Sequence, residues 1–232
     1  MNNRSGKWLT GVLAMLLLAV CRISGAADLQ QLVHETQRTA ESGSQLTMAW
    51  WIPQEFWEAS MSNNPNVTEE SRTELLQALE DYQIFVVVRA RTGIAGISDV
   101  QSNEDMISNA RFVVDGKTVD PVAPDKLSAG AQTVLASLKP ALSGMLGALG
   151  QAMQIIVYPS KRDGVRMIDP VKPGNFQYTF YDQNFNWRLP LASLLPNKVD
   201  PKTHDEFPGD YIYNPYTGAK LTVKSDNKSD KK

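Results

Sequence analysis

Apolar positions along this chain recur with two periods, a helical one of three to four residues and a strand-like one of two. The helical period predicts helices over residues 28–42 and 54–60, a third that begins after an N-terminal cap at Thr68, and a fourth over residues 126–153. Pro140 lies inside the fourth pattern, so we expect it to kink or divide that helix.

The period of two predicts the strands. Residues 46–52 place Trp50 and Trp51 on opposite faces of one strand, and the unbroken apolar run at residues 84–89 is typical of a strand buried on both faces. Further strands are expected at residues 154–158 and in two hairpins, one over residues 110–119 with a type I′ turn at Asp115-Gly116, the other pairing residues 176–180 with 185–189 across residues 182–184. This order favours an α+β fold, in which a mixed or antiparallel sheet with two hairpins packs against several helices.

Residues 1–26 have the pattern of a secretory signal peptide. A positively charged start precedes an apolar run over residues 8–20, and small residues at 24–26 suit cleavage by a signal peptidase. We therefore expect a periplasmic or secreted protein whose mature chain begins near Ala27. An uncleaved N-terminal anchor is one alternative. A lipid anchor at Cys21 is another, because the three residues before it form an imperfect lipobox.

Charge and cysteine content narrow the function classes. The chain of 232 residues carries 23 basic and 25 acidic side chains, and removal of residues 1–26 leaves 20 basic against 25 acidic, a net charge of −5. Such a chain has no overall attraction for nucleic acid, which requires a basic face. Cys21 is the one cysteine, so the mature chain has no thiol for a disulfide, a metal site or thiol catalysis.

Acidic and aromatic side chains meet at the predicted strand–helix junction. Glu55 and Glu58 lie close in sequence to Trp51 and Trp57. Paired carboxylates beside an aromatic platform are typical of glycoside hydrolases, so Glu55 and Glu58 are the candidate catalytic pair, and Trp51 and Trp57 the candidate binding residues. The other interpretation is a packed tryptophan cluster with two solvated acids.

Other chemistries find little support in the sequence. The two histidines, His34 and His204, have no partner at zincin spacing, and no glycine-rich phosphate loop or serine-hydrolase motif is present. Residues 140–160 carry no charge, but their proline, glutamines and strand-like end favour a buried helix and strand over membrane insertion. We expect no cofactor, no bound metal and no integral membrane insertion of the mature chain.

Residues 199–221 contain the same short pattern twice, Asp-Pro-Lys-Thr at residues 200–203 and Asn-Pro-Tyr-Thr at residues 214–217. With cysteine at Asp200, Thr203, Asn214 and Thr217, both would read C-P-x-C with ten residues between them. This segment therefore resembles a zinc ribbon that has lost its four cysteine ligands. The resemblance covers 23 of the 232 residues and implies a small β-hairpin unit, docked through its aromatic residues and without zinc.

The sequence thus predicts a signal peptide at residues 1–26, an α+β domain at 27–198, a cysteine-free ribbon-like hairpin at 199–221 and a disordered charged tail at 222–232. The function expected is non-catalytic binding, assembly or scaffolding in the cell envelope, with an envelope protein or a glycan as the partner. The alternative is a carboxylate-based hydrolase that acts on envelope glycans.

Overall fold

The computed structural model describes residues 29–62, 64–93 and 96–223. The predicted signal peptide, Cys21 and residues 224–232 of the predicted tail lie outside the described residues.

Helices and strands follow one another irregularly along the described chain, as the α+β prediction requires. The helices are α1 (Leu29–Thr36), α2 (Gln54–Ser62), α3 (Glu69–Leu79), α4 (Asn103–Ser108) and α5 (Ala129–Met145), with 3-10 turns at Pro124–Lys126, Gly147–Ala152 and Ala192–Leu194. The longer strands are β1 (Gln37–Ser42), β2 (Gln45–Ile52), β3 (Tyr82–Gly93), β5 (Ala110–Val114), β7 (Met153–Pro159), β10 (Gly174–Phe180) and β11 (Gln183–Leu189). The short strands are β4 (Gly96–Ser98), β6 (Lys117–Val119), β8 (Lys161–Arg162), β9 (Val165–Arg166), β12 (Lys198–Val199), β13 (Glu206–Phe207) and β14 (Thr222–Val223).

Two large antiparallel sheets form the body of the protein. In the first, β1 pairs with β2 and β2 pairs with β3, and both β7 and β4 pair with β3. The second has the order β11-β10-β5-β6. A small sheet, β13-β12-β14, organises the C-terminal residues, and β8 and β9 form a separate hairpin. All of these pairings are antiparallel, which confirms the predicted α+β class.

The first sheet is covered on both faces. Trp51 points to the second sheet, where its ring meets Phe176 edge-on at 4.8 Å, and Phe85 stacks on Tyr178 at 4.2 Å. Trp50 points the opposite way and meets Phe56 of α2 at 5.5 Å. The core is therefore a sandwich of two sheets with helices on the outer face of the first.

Several local predictions are confirmed. Thr68 caps α3 by accepting a hydrogen bond from Ser71 N–H, and the turn at Asp115-Gly116 has positive φ at both residues, as type I′ requires. The predicted strands at residues 46–52 and 84–89 are the buried centres of β2 and β3.

Four other predictions are wrong in detail. The first helix ends at Thr36, and residues 37–42 form β1, because pairing with β2 overrides their weak helical pattern. Pro140 does not divide helix α5, which continues past it, and the helix stops at Met145 and not at residue 153. The turn of the second hairpin is Tyr181-Asp182, since the ladder extends to the pair Phe180 and Gln183. Within the tail predicted to be disordered, residues 222–223 pair with β12 as β14.

Candidate functional site

Residues 198–223, the C-terminal unit, contain two turns with the same hydrogen-bond pattern. In the first, Asp200 O accepts from His204 N–H at 2.9 Å and Asp200 N–H donates to Asp205 O at 3.0 Å. In the second, Asn214 O accepts from Gly218 N–H at 2.9 Å and Asn214 N–H donates to Ala219 O at 2.8 Å. The two turns are thus equivalent, although they lie 14 positions apart in the sequence.

The side chains at the start of each turn repeat the same arrangement. Asp200 Oδ1 accepts from the backbone N–H groups of Lys202 and Thr203, at 2.8 and 3.3 Å. Asn214 Oδ1 accepts from those of Tyr216 and Thr217, at 2.9 and 3.3 Å. An aspartate or asparagine that binds the amides two and three residues on fixes a tight turn.

The two turns are joined through the same two side chains. Asn214 Nδ2 donates to Asp200 Oδ2 at 2.7 Å, and Thr217 Oγ1 donates to the same oxygen at 3.2 Å. Asp200 and Asn214 are 0% and 2% exposed, so this contact is inside the unit. The backbone N–H of Lys202 and then the Asn214 amide hold the pKa of Asp200 below its usual range.

These side chains do not fit a zinc ion. Asp200 Oδ2 is committed to Asn214 and Thr217, and the Thr203 hydroxyl donates to Asp205 at 2.6 Å. Neutral amides and hydroxyls are poor zinc ligands beside thiolate and imidazole. In the described part of the chain, no group of three or more His, Cys, Asp and Glu side chains is placed to hold a metal ion.

Large side chains of the C-terminal unit face solvent just before the second turn and within it. We call residues 211–216 the tyrosine segment. Tyr216 is 88% exposed, Ile212 60% and Tyr213 57%, whereas Tyr211 is 40% exposed and its ring lies against Phe207. Exposed tyrosine and isoleucine on a fixed scaffold are typical of recognition surfaces.

The C-terminal unit is fixed by contacts within it and by one close contact with the segment that leads into it. Phe207 and Leu221 are buried, and Lys198 Nζ donates to Tyr211 O at 2.6 Å. Gly209 lies so close to Leu195 and Pro196 that a Cβ on it would stand 2.7 Å from Pro196 O. This position therefore requires glycine for a close approach of two backbones.

Trp51 and Trp57, the predicted binding residues, are corrected to core residues. Trp51 is fully buried between the two sheets and donates its indole N–H to Gln83 Oε1 at 2.7 Å. Trp57 is 6% exposed and packs against Phe56. Neither ring is open to a ligand at the surface, because the Trp51 ring lies between the two sheets and the Trp57 ring is buried beneath helix α2.

Glu55 and Glu58, the predicted catalytic pair, lie on α2 in different surroundings. Both oxygens of Glu55 bind Arg166, at 2.8 and 3.0 Å, in a two-pronged ion pair. Glu58 is exposed, and partial burial of its carboxyl and the neighbouring Glu55 raise its pKa. Because Arg166 neutralises Glu55 and the tryptophans are buried, this region offers neither a free pair of acids nor an aromatic platform for a sugar.

Sequence reasoning located the four positions of the two turns but missed their bonding. The repeated order of Asp or Asn, then Pro, then Thr two residues on was visible in the sequence, and it also favours this bonding, because an acidic or amide side chain before proline favours a turn. The four positions at which cysteine would complete the ribbon pattern are thus positions whose side chains form hydrogen bonds within and between the two turns.

Comparison of the chain with protein-family models, with curated proteins and with solved structures finds no match. Across residues 29–62, 64–93 and 96–223, none of the helices combines the length and the apolar composition needed to cross a bilayer.

Proposed function

We propose that the protein is a non-catalytic binding and assembly protein of the cell envelope, and that its tyrosine segment binds a protein partner. The observation that carries the proposal is a contrast in exposure. Trp50, Trp51, Trp57 and Trp187 are buried, whereas Ile212, Tyr213 and Tyr216 face solvent.

A rigid scaffold supports this role. The tyrosine segment leads into the second turn and includes its first residues, and this turn is joined to the first by the buried contact of Asp200 with Asn214. Binding by a fixed surface avoids the entropy cost of ordering a loop, and tyrosine supplies large contact area with few rotatable bonds. Within this proposal, the C-terminal unit is the cysteine-free counterpart of a zinc ribbon, in which hydrogen bonds replace the metal.

The predicted signal peptide supports the location. We propose that the mature chain begins near Ala27 in the periplasm or outside the cell, with acylation at Cys21 as the alternative. The intact mass of the exported protein distinguishes the two, and a protein that retains Met1 contradicts both.

Quantitative affinity capture tests the function. Purified protein is presented to a detergent extract of the exporting cell's envelope, and the captured proteins are compared between the wild type and an Ile212→Ser/Tyr216→Ser variant. A Val165→Ser/Val171→Ser variant is the matched control, because Val165 and Val171 are also exposed apolar residues, 69% and 42%.

We expect one or a few proteins to be captured by the wild type and the control, and at least tenfold less of them by the tyrosine-segment variant. All four substituted residues are exposed, so stability should stay within about 0.5 kcal/mol. Equal capture by all three proteins contradicts the proposal. Capture of glycan without protein also contradicts it.

A further inference from the structure

A small pocket with charged walls lies where the C-terminal unit meets the α+β domain. It encloses about 140 Å³. The lining residues that matter here come from α1, β1, the end of β11 and the C-terminal unit, and they are Glu35, Arg38, Arg188, Pro190, Leu191 and Asp210. A cavity of about 150 Å³ holds a ring of six carbons, so a ligand of this pocket would have about six to eight non-hydrogen atoms.

Arg38 is a half-buried cation in this pocket, and no carboxylate of the described residues pairs with it. Its Nε and Nη1 donate to the backbone carbonyls of His34, Gln37 and Asn186, at 3.3, 2.8 and 3.4 Å. Nη2 forms no hydrogen bond with the described residues and is not buried, so it is available to a ligand. Partial burial lowers the pKa of Arg38, and the charge of Glu35 offsets this only in part.

Glu35 lines the same pocket, but its carboxylate is already committed elsewhere. Its oxygens accept from the backbone N–H groups of Ala192 and Ser193 at 3.0 and 3.1 Å, and from the Ser193 hydroxyl at 2.5 Å. Glu35 therefore holds the 3-10 turn that forms one wall, and it leaves Arg38 without a direct ion-pair partner.

Two further charges line the pocket without partners. The guanidinium of Arg188 and the carboxylate of Asp210 are exposed, and neither forms a hydrogen bond or an ion pair with the described residues. Opposite charges that share a pocket without reaching ion-pair distance leave a gap between them. A ligand that carries both charges fills such a gap, with a charge-assisted hydrogen bond at each end.

From these features together we propose that the pocket binds a small zwitterion, namely a free α-amino acid with a short side chain such as alanine. Arg188 and Nη2 of Arg38 bind its carboxylate, and Asp210 binds its ammonium group. Pro190 and Leu191 provide an apolar wall for its side chain.

The mixed charge of the walls favours a zwitterion over a simple anion. An anion such as sulfate would be attracted by the two arginines but repelled by the carboxylates of Glu35 and Asp210, whereas an ammonium group beside the carboxylate removes that repulsion. The proposal goes beyond the proposed protein partner and does not depend on it. Because Asp210 directly precedes the tyrosine segment and the other walls belong to the α+β domain, a bound amino acid also joins the two parts.

Titration with L-alanine and D-alanine, followed by NMR and calorimetry, tests the proposal. Alaninamide lacks the carboxylate and N-acetylalanine lacks the ammonium group, so the two serve as matched ligands. We expect at least one enantiomer of alanine to bind saturably and to shift the signals of the Arg188 side chain and the Asp210 amide. Both analogues should bind at least tenfold more weakly, and tryptophan, which exceeds the volume of the pocket, should not bind.

Charge-removing variants assign each end of the ligand. Arg188→Gln should weaken binding of alanine at least tenfold and leave binding of alaninamide unchanged. Asp210→Asn should weaken binding of alanine to a similar extent and leave binding of N-acetylalanine unchanged. Both residues are exposed, so both variants should fold as the wild type does. Lys117→Gln and Asp120→Asn, at exposed residues in and just after β6 on the opposite edge of the sheet from β11, are the controls and should bind alanine normally.

The Ile212→Ser/Tyr216→Ser variant should bind alanine as the wild type does, which separates this test from that of the tyrosine segment. Two results overturn the proposal. One is the absence of saturable binding by either enantiomer. The other is binding of N-acetylalanine or sulfate as tight as that of alanine, with no effect of Asp210→Asn, since the pocket would then be a site for anions only.

Discussion

Asn214 donates its side-chain amide to Asp200 across 2.7 Å, and this bond joins the two equivalent turns of the C-terminal unit. Each of the two residues also fixes its own turn through the amides two and three residues on. Asp200 and Asn214 are two of the four positions at which cysteine would complete the zinc-ribbon pattern. Under the proposal that this unit is the counterpart of a ribbon, their contact takes the place of the metal.

Removing the charge of Asp200 should loosen this unit. In Asp200→Asn, an NH₂ group takes the place of the oxygen that accepts from Asn214 and Thr217. The Asn214 amide and the Thr217 hydroxyl then face a donor and lose their acceptor. We expect hydrogen exchange of the Thr203 and Thr217 amides to become at least tenfold faster, while amides of the first sheet keep their protection. Asp210→Asn, at an exposed aspartate of the same unit, is the control and should leave exchange unchanged.

The same contact predicts a local acid sensitivity. Hydrogen bonds lower the pKa of Asp200 in the folded unit, so its contribution is fully present above the unfolded value of about 4 and is lost as the pH falls through the lower folded value. Protection of Thr203 and Thr217 should therefore fall below about pH 4 in the wild type. In Asp200→Asn it should be low at every pH. Wild-type protection that persists to pH 2 contradicts this account.

Introducing cysteine at the four positions tests the proposed ribbon geometry. The variant Asp200→Cys/Thr203→Cys/Asn214→Cys/Thr217→Cys should bind one zinc ion per chain by elemental analysis, because four thiolates would converge where the two turns meet. The wild type should bind none at stoichiometric level. Serine at the same four positions provides a control without thiolates. Failure of the cysteine variant to bind zinc contradicts the resemblance, as does one zinc per wild-type chain that a His204 substitution removes.

In the sandwich core, Thr36 connects two tryptophans. Trp50 Nε1 donates to Thr36 Oγ1 at 3.1 Å, and Trp187 Nε1 donates to Thr36 O at 2.9 Å. Replacing Trp50, Trp51 or Trp187 by alanine should each lower the free energy of unfolding by about 3–5 kcal/mol, since all three are buried. Urea denaturation measures these changes.

A double-mutant cycle separates the two bonds of Thr36. Thr36→Val removes the hydroxyl but keeps the backbone carbonyl, so it should couple to Trp50→Phe by about 0.5–3 kcal/mol and be additive with Trp187→Phe. Equal coupling to both tryptophans would show that packing, not these hydrogen bonds, connects them.

Those features of the fold that depend on a few adjacent residues could be predicted from the sequence, and those that depend on distant residues could not. The type I′ turn at Asp115-Gly116 and the cap at Thr68 depend on a few adjacent residues, and both were predicted. Strand β1 was missed because its six residues become a strand only by pairing with β2. The choice between a binding residue and a packed cluster at Trp51 stayed open for a similar reason, since the second sheet that covers it comes from residues more than 50 positions away.

The same limit applies to the candidate sites. The four positions of the C-terminal unit are visible in sequence because each turn is local. An apolar groove beside β7 is not visible in this way, because α4, the segment after β6, α5 and β7 each contribute part of its lining. The ion pair of Glu55 with Arg166 spans 111 positions, and it alone changes a candidate catalytic acid into a neutralised one.

Site-specific photo-crosslinking in intact cells that export the protein tests the central claim most directly. A benzophenone amino acid is placed at position 212, 213 or 216 of the tyrosine segment, or at position 165 or 171 as a control with exposed apolar residues. The account predicts one discrete protein adduct, common to positions 212, 213 and 216 and absent from 165 and 171. No adduct at any position of the tyrosine segment, or the same adducts at all five positions, would contradict it.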